Sequence, residues 1–262
     1  MNGSNPEFHS VRRFMAGKAT VFVEGSNQKA GAFAASIAAD TLIARVAENG
    51  SAAVILASGN SQLMFFASLR RRTSIPWDRI AIFHMDEYMG LAASHPKCFR
   101  RYFREQLVDG LQVRAFHEMA GDAADISVEM RRYTDLLRAD PPDICVLGIG
   151  ENCHLAFNDP PADFTIADAI HVVKVSLASR RQQVGEGHFP SVEAVPTHAL
   201  TLTIPTLLAP AVVLAVVPEG RKAAAVAATL EGPISPNVPA TILRNTDGVT
   251  IVLDTDSAAL IR

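Results

Sequence analysis

A chain of 262 residues with 48% hydrophobic side chains is long enough for one large domain or two small ones, and apolar enough for a sizeable core. Its net charge of −3, with Lys and Arg scattered, speaks against a nucleic-acid partner. No run reads as the roughly 18–20 apolar residues of a membrane span, and the N-terminus lacks a basic-then-apolar signal pattern. Three cysteines without a C-x-x-C pair argue against a disulfide scaffold or a zinc site, and for a reducing, cytoplasmic setting.

Residues 1–10, opening "MNGSNPEF", read as a leader, and 11–262 as one domain. "ATVFVEG" (19–25) predicts a strand, and 27–49 an Ala-rich helix with apolar residues three to four apart. "AAVILAS" (52–58) and "RIAIFHM" (79–85) are continuous apolar runs, as in parallel strands buried on both faces, with a helix over 61–72 between them. Helices are expected over 96–108 and 123–139, then a central strand in "DICVLGIG" (143–150). "ALTLTI" (199–204), "AVVLAVV" (211–217), a helix over 221–230 and "VTIVLD" (249–254) complete the series. Such alternation predicts an α/β fold: one doubly wound domain, its mostly parallel sheet covered by helices on both faces. Ligands of such sheets bind beyond the carboxyl ends of the strands.

Four strand ends carry polar residues. After 52–58 comes Ser58-Gly59-Asn60-Ser61, a glycine-containing turn into a helix, where free N–H groups and the helix dipole suit a phosphate. The competing local reading is an ordinary helix cap by Asn60 or Ser61. After 79–85 come Asp86 and Glu87. On an extended chain neighbours face opposite ways, so one should face the crevice and the other a structural partner, unless both are merely solvated loop charges. After 143–150, "ENCHLAFND" gathers Asn152, His154 and Asp159: a titratable imidazole and a carboxylate able to orient it, an acid–base pair in outline. Gly148 and Gly150 lack the rest of a dinucleotide-binding fingerprint, and His154 with Asp159 is too few ligands for a metal. After 211–217, Lys222 falls in a first helical turn, a position eased by an anion and otherwise reached by snorkelling to solvent.

Taken in order, "MDEYMGL", "HPKCFRRYF", "GIGENCHLAFNDPP" and "VPTHALTLTIPTLL", with "EGRKAAAV" and "LEGPISP", resemble the glucosamine-6-phosphate deaminase/isomerase family, which shares its fold with the 6-phosphogluconolactonases. The likeness spans nearly the whole chain. Tyr88, where the lactonase branch has Arg, and Leu155–Asn158 after the His favour the deaminase branch. The resemblance implies an enzyme that opens the ring of an aminosugar phosphate, moves a proton from C2 to C1 and expels ammonia, leaving fructose 6-phosphate. In that reading Asp86 is the enolisation base and His154 the ring-opening acid–base. Asn152 and Asp159 support His154, while Ser58–Ser61 and Lys222 grip the phosphate. No cofactor or metal is implied.

The chain departs from the family pattern in three places: Cys153 stands for Gly, Asp159 for the commoner Glu, and the usual phosphate-binding Arg is missing. A Cys153 side chain would crowd the sugar or perturb the turn. Arg180, Arg181 and His188 are the candidates to replace the missing Arg. The preferred aminohexose, allosteric activation, and a monomer against a homo-oligomer all stay open. A lactone hydrolase, another sugar-phosphate isomerase and a non-catalytic sugar-phosphate sensor are the rival readings; the presence of both Asp86 and His154 weighs against the sensor.

Overall fold

The structure is a computed structural model and describes residues 10–262. Apart from Ser10, the leader expected over 1–10 lies outside the described residues.

The main sheet has eight strands: β1 (Arg12–Ala16), β2 (Ala19–Glu24), β3 (Ala52–Leu56), β4 (Ile80–His84), β6 (Ala115–His117), β7 (Ile144–Leu147), β10 (Val212–Val217) and β11 (Val249–Asp254). Their spatial order is β1-β2-β11-β10-β7-β3-β4-β6, and only the β1–β2 pairing is antiparallel. A second, antiparallel sheet joins β5 (Asp86–Tyr88), β9 (His198–Leu202) and β8 (Ile170–Lys174).

Strand residues alternate between two cores because successive side chains point to opposite faces. Val54, Leu56, Ile80, Ile82, Ile144 and Val146 face a layer with α1 (Asn27–Asn49), α2 (Leu63–Arg70) and α3 (Phe99–Phe103). Ala53, Ile55, Ala81, Phe83, Cys145 and Leu147 face α4 (Ile126–Ala139), α6 (Ile204–Leu208) and α7 (Ala223–Glu231). Burial on both faces is why these strands read as unbroken apolar runs. Cys145 is the small buried side chain expected there, with its thiol pushed up by burial.

Ser26 caps α1 by accepting from Lys29 N, and Gly50 ends it in a left-handed conformation. By length and composition α1 is apolar enough to cross a membrane, which corrects the expectation of no such run. Here its Ala30, Ala34, Ala35, Ala38, Ala39 and Leu42 are buried in the core between sheet and helices.

Several short elements escape sequence periodicity: β1, β5, β6, β8, α6 and the polar α5 (Leu177–Gly185). The helix expected over 96–108 starts at Phe99 and ends as a π-helical turn over Arg104–Val108. "ALTLTI" is a strand, but in the small antiparallel sheet.

Between β3 and β7 the chain's direction of travel across the sheet reverses. From β3 it moves outward to β4 and β6, then returns to β7 and continues to β10 and β11. The four polar strand ends belong to β10, β7, β3 and β4, four consecutive neighbours astride that switch point, where open α/β sheets bind ligands.

Candidate active site

A cavity of about 300 Å³ opens at these strand ends. Ser58, Gly59, Asn60, Ser61, Asp86, Gly148, Gly150, His154 and Lys222 all line it. Asn152 and Asp159 stand behind His154 and do not line the cavity.

Asp86 is placed by a fork between the two sheets. Met85 donates its N–H to Leu56 O in the main sheet (3.3 Å) and accepts from Leu202 N of the small one (2.8 Å). The next residue therefore begins β5 with its backbone held on both sides. The Asp86 side chain is 6% exposed, and its Oδ1 is buried with no hydrogen-bond partner among the described residues. Burial, and then the charge of Glu87, push its carboxyl up to about 8.

Glu87 faces the other way and is fully buried. Its carboxylate accepts from Tyr88 N, Phe99 N, Arg100 N and the Cys98 thiol at 2.9–3.1 Å, with Arg100 Nε at 3.7 Å. It thus ties the start of α3 to β5. Neither carboxylate is a solvated loop charge, and the pair divides into one crevice group and one structural group.

His84, at the end of β4, is also buried. It accepts from Met119 N at Nε2 (2.7 Å), so its Nδ1–H donates to Asp86 O (2.9 Å). Burial lowers its pKa to about 3 and keeps it neutral. This ring fixes the Asp86 backbone and leaves the carboxylate free.

The opposite wall is densely connected. Asp159 Oδ1 lies 3.3 Å from His154 Nδ1 and accepts from Asn152 Nδ2 (2.8 Å) and from the Ser179 hydroxyl. Ser176 N donates to Asp159 Oδ2 (3.0 Å), and His154 N donates to Asn152 Oδ1 (3.2 Å). Burial alone would raise the Asp159 carboxyl, but His154, Ser179 and Asn152 outweigh it and hold it well below the usual carboxylate range. With Ser179 donating to Asp159, its oxygen is open to accept from His154 Nδ1 at 3.0 Å. That arrangement puts the imidazole proton on Nδ1 and leaves Nε2 as the reactive nitrogen. A Cβ at Gly150 would lie 2.3 Å from Nε2, so glycine there makes room for the ring.

Ser179 has no local sign in the sequence. It sits in the first turn of α5, a polar segment with no periodic signal, and only the fold brings it beside His154. It bridges the shorter Asp159 side chain to the imidazole.

Cys153 has a left-handed backbone (φ 69°), the conformation glycine adopts freely. Its side chain turns away from the cavity into the core, with Sγ 3.8 Å from Ala225 O of α7. The expectation that it crowds the sugar is therefore corrected: it takes no part in lining the cavity.

At the phosphate end, Gly59 (φ 108°, ψ 166°) occupies a region of backbone space essentially closed to other residues. No side chain caps the turn Asn60–Gln62, so the cap reading fails. Asn60 donates to Glu186 O (3.4 Å), tying this turn to the segment after α5. Lys222 does not snorkel: it is 3% exposed, and no carboxylate pairs with its ammonium among the described residues. Burial, with Arg221 adding to it, lowers its pKa, while Glu186, Glu151 and Glu219 oppose this. A buried cation without a paired anion beside an open glycine turn is a place for an anionic ligand.

Of the three candidates for the missing Arg, Arg180 donates through Nε and Nη2 to Val192 O (3.2 and 2.6 Å). Arg181 lines a neighbouring groove. His188 alone reaches the cavity, with Nε2 3.2 Å from Glu186 Oε2. Glu186 also pairs with Arg221 and accepts from Gln182. Among the described residues no group of three or more His, Cys, Asp or Glu is arranged to hold a metal.

The sequence pattern of the glucosamine-6-phosphate isomerases/6-phosphogluconolactonases matches residues 25–252. A glucosamine-6-phosphate deaminase of Bacillus cereus strain B4264 is 33% identical over 205 residues, 78% of this chain and 76% of that protein. One of Exiguobacterium sibiricum is 34% identical over 206 residues, 79% and 80% of the two chains. Among solved structures, a monomeric glucosamine-6-phosphate deaminase superposes with a TM-score of 0.84 at 31% identity, covering 92% of this chain and 99% of its own. The 6-phosphogluconolactonase of Trypanosoma brucei superposes with a TM-score of 0.77 at 18% identity, covering 94% and 99%, a likeness of fold. The chain belongs to the glucosamine-6-phosphate isomerase/6-phosphogluconolactonase family.

Proposed function

We propose that this protein is a glucosamine-6-phosphate deaminase. The carrying observation is one cavity that pairs Asp86, desolvated and with its buried Oδ1 lacking a hydrogen-bond partner among the described residues, with His154, whose Nδ1 side is held by Ser179 and Asp159. The deaminase relatives and the superposed deaminase structure support the same reading.

The phosphate sits in the Ser58–Ser61 turn against Lys222. His154 Nε2 takes the proton of the anomeric hydroxyl and returns one to the ring oxygen, opening the ring. The Asp86 carboxylate then removes the C2 proton while the C1 oxygen gains one from solvent, giving an enolamine, and Asp86 returns its proton to C1 as the nitrogen releases one to solvent. The resulting C2 imine adds water and releases ammonia, leaving fructose 6-phosphate. A carboxyl pushed up to about 8 is well matched to this task, since it can both take and return a proton near neutral pH.

The test is ammonia release by the purified protein from glucosamine 6-phosphate, with galactosamine 6-phosphate alongside. Ammonia from glucosamine 6-phosphate supports the proposal. Ammonia from the epimer alone reassigns the substrate, and none from either sinks the deaminase reading. The proposal takes an aminosugar phosphate as its partner, with no nucleic acid, membrane or cofactor, in the cytoplasm. Three free, buried cysteines fit that compartment, and cell fractionation tests it. Sedimentation of the purified protein separates a monomer from a homo-oligomer.

A further inference from the structure

The chain has three tyrosines, and they are treated differently. Tyr102 donates its hydroxyl to Gly59 O (2.8 Å), and Tyr133 donates to His84 O (2.7 Å). Tyr88 is fully buried, and its hydroxyl oxygen has no hydrogen-bond partner among the described residues. An unpaired buried hydroxyl is destabilising, a cost that a phenylalanine in the same place would not incur. The ring itself is well supported, with centroids of Phe99, Phe157 and Phe189 at 5.0, 5.2 and 5.6 Å.

Tyr88 also lines the cavity. Among the described residues, six buried side-chain polar atoms lack partners, and of their owners only Asp86 and Tyr88 are cavity-lining. The two stand two residues apart in β5 and so share one face of the strand. One is already assigned to proton transfer at C2. The other offers a phenol that burial, and then the charges of Asp86, Glu87 and Glu186, keep protonated and able to donate.

We propose that Tyr88 is a specificity-determining residue whose hydroxyl hydrogen-bonds a polar substituent of the sugar beside the carbon that Asp86 deprotonates, the C2 amine or the C3 hydroxyl. The proposal rests on the deaminase reading. Phe189 also lines the cavity and packs T-shaped against the Tyr88 ring, and its displacement by the sugar is the movement that would open the oxygen. The hydroxyl is then unsatisfied in the empty cavity and satisfied in the complex, so its binding energy is spent on ligands that carry the matching group.

Tyr88→Phe tests this, because it removes the oxygen and keeps the ring. Three quantities are compared with the wild type: the ligand-free Tm, kcat and KM for ammonia release from glucosamine 6-phosphate, and the rise in Tm produced by saturating glucosamine 6-phosphate or fructose 6-phosphate. We expect an equal or higher ligand-free Tm, a kcat/KM lower by about 10- to 100-fold, and a smaller ligand-induced rise. A smaller rise with the amino sugar alone identifies the C2 amine as partner; a smaller rise with both sugars identifies the C3 hydroxyl. A kcat/KM within twofold of wild type overturns the proposal. So does a lower ligand-free Tm with an unchanged ligand-induced rise, which would make the hydroxyl structural. If the wild type releases no ammonia, the deaminase reading fails by itself, and the fructose 6-phosphate arm still decides whether Tyr88 holds a sugar phosphate. No ligand-induced rise in the wild type overturns both.

Discussion

The two walls of the cavity are built on opposite principles. On the β4–β5 side, Asp86 has a rigid backbone and a buried carboxylate oxygen, Oδ1, without a donor among the described residues. On the β7 side, every polar atom behind His154 is paired: Asp159, Asn152, Ser179 and Ser176 form one network. Desolvation without partners raises a carboxyl, and convergent donors lower one, so the same functional group is poised near neutrality on one wall and fixed as an anion on the other. The first wall is suited to exchanging a proton, the second to holding a ring.

The largest break in this comparison comes from Asp86→Asn. We expect ammonia release to fall by about 10³-fold or more while the fold is kept. The same substitution has a signed effect on stability. The Asp86 carboxyl is raised from 3.8 to about 8, so its contribution to stability is full below pH 3.8 and lost as pH rises through about 8. Asparagine does not titrate, so the variant's Tm should gain on the wild type as pH climbs from 4 to 8. A gap that does not change with pH would contradict the raised pKa. In the wild type, kcat/KM should rise with pH towards a plateau above about 8, as the free enzyme's base loses its proton.

On the other wall, Asp159→Asn should lower kcat by about 100-fold, with little change in KM, because the imidazole loses its anionic support. A wild-type kcat would leave His154 oriented by Ser179 alone. Lys222→Ala belongs to the shared floor and should mainly raise KM, by about 10- to 100-fold, through loss of a charge-assisted contact. A fall in kcat at constant KM would remove it from the phosphate grip. The smallest effect is expected of Cys153→Gly. Relief of the left-handed backbone and loss of a small buried side chain are each worth about 1 kcal/mol and oppose each other. Tm should stay within a few degrees and kcat/KM within about twofold. A large gain in activity would mean that the thiol does obstruct the sugar.

Much of this was legible in the chain. The buried strands announced themselves as unbroken apolar runs, and α1 was read to its observed bounds, because dense periodicity and clear caps are local properties. Ser58–Ser61, Asp86, His154 and Lys222 reach the cavity by one rule of open α/β sheets: polar residues directly after buried strands meet where the strand ends meet. Asp86 and Glu87 were separable from sequence because extended neighbours face opposite ways.

Other features have no local signal. Ser179 lies 25 residues beyond His154 on a polar helix, and nothing in "LASRRQQV" marks one serine as a partner of an imidazole. The transfer of β5, β8 and β9 to a second sheet is decided by the fork at Met85, where a donor to one sheet and an acceptor from the other share a residue. The inward turn of Cys153 follows from its backbone angle and from the packing of α7 behind it. The sequence by itself determined the layers, the strand ends and the residue types offered there, because these rest on periodicity and adjacency along the chain. The tertiary structure alone decided which groups are desolvated and which are paired. Burial and hydrogen bonding depend on neighbours tens of residues away, and they set whether a carboxyl moves a proton or holds a ring.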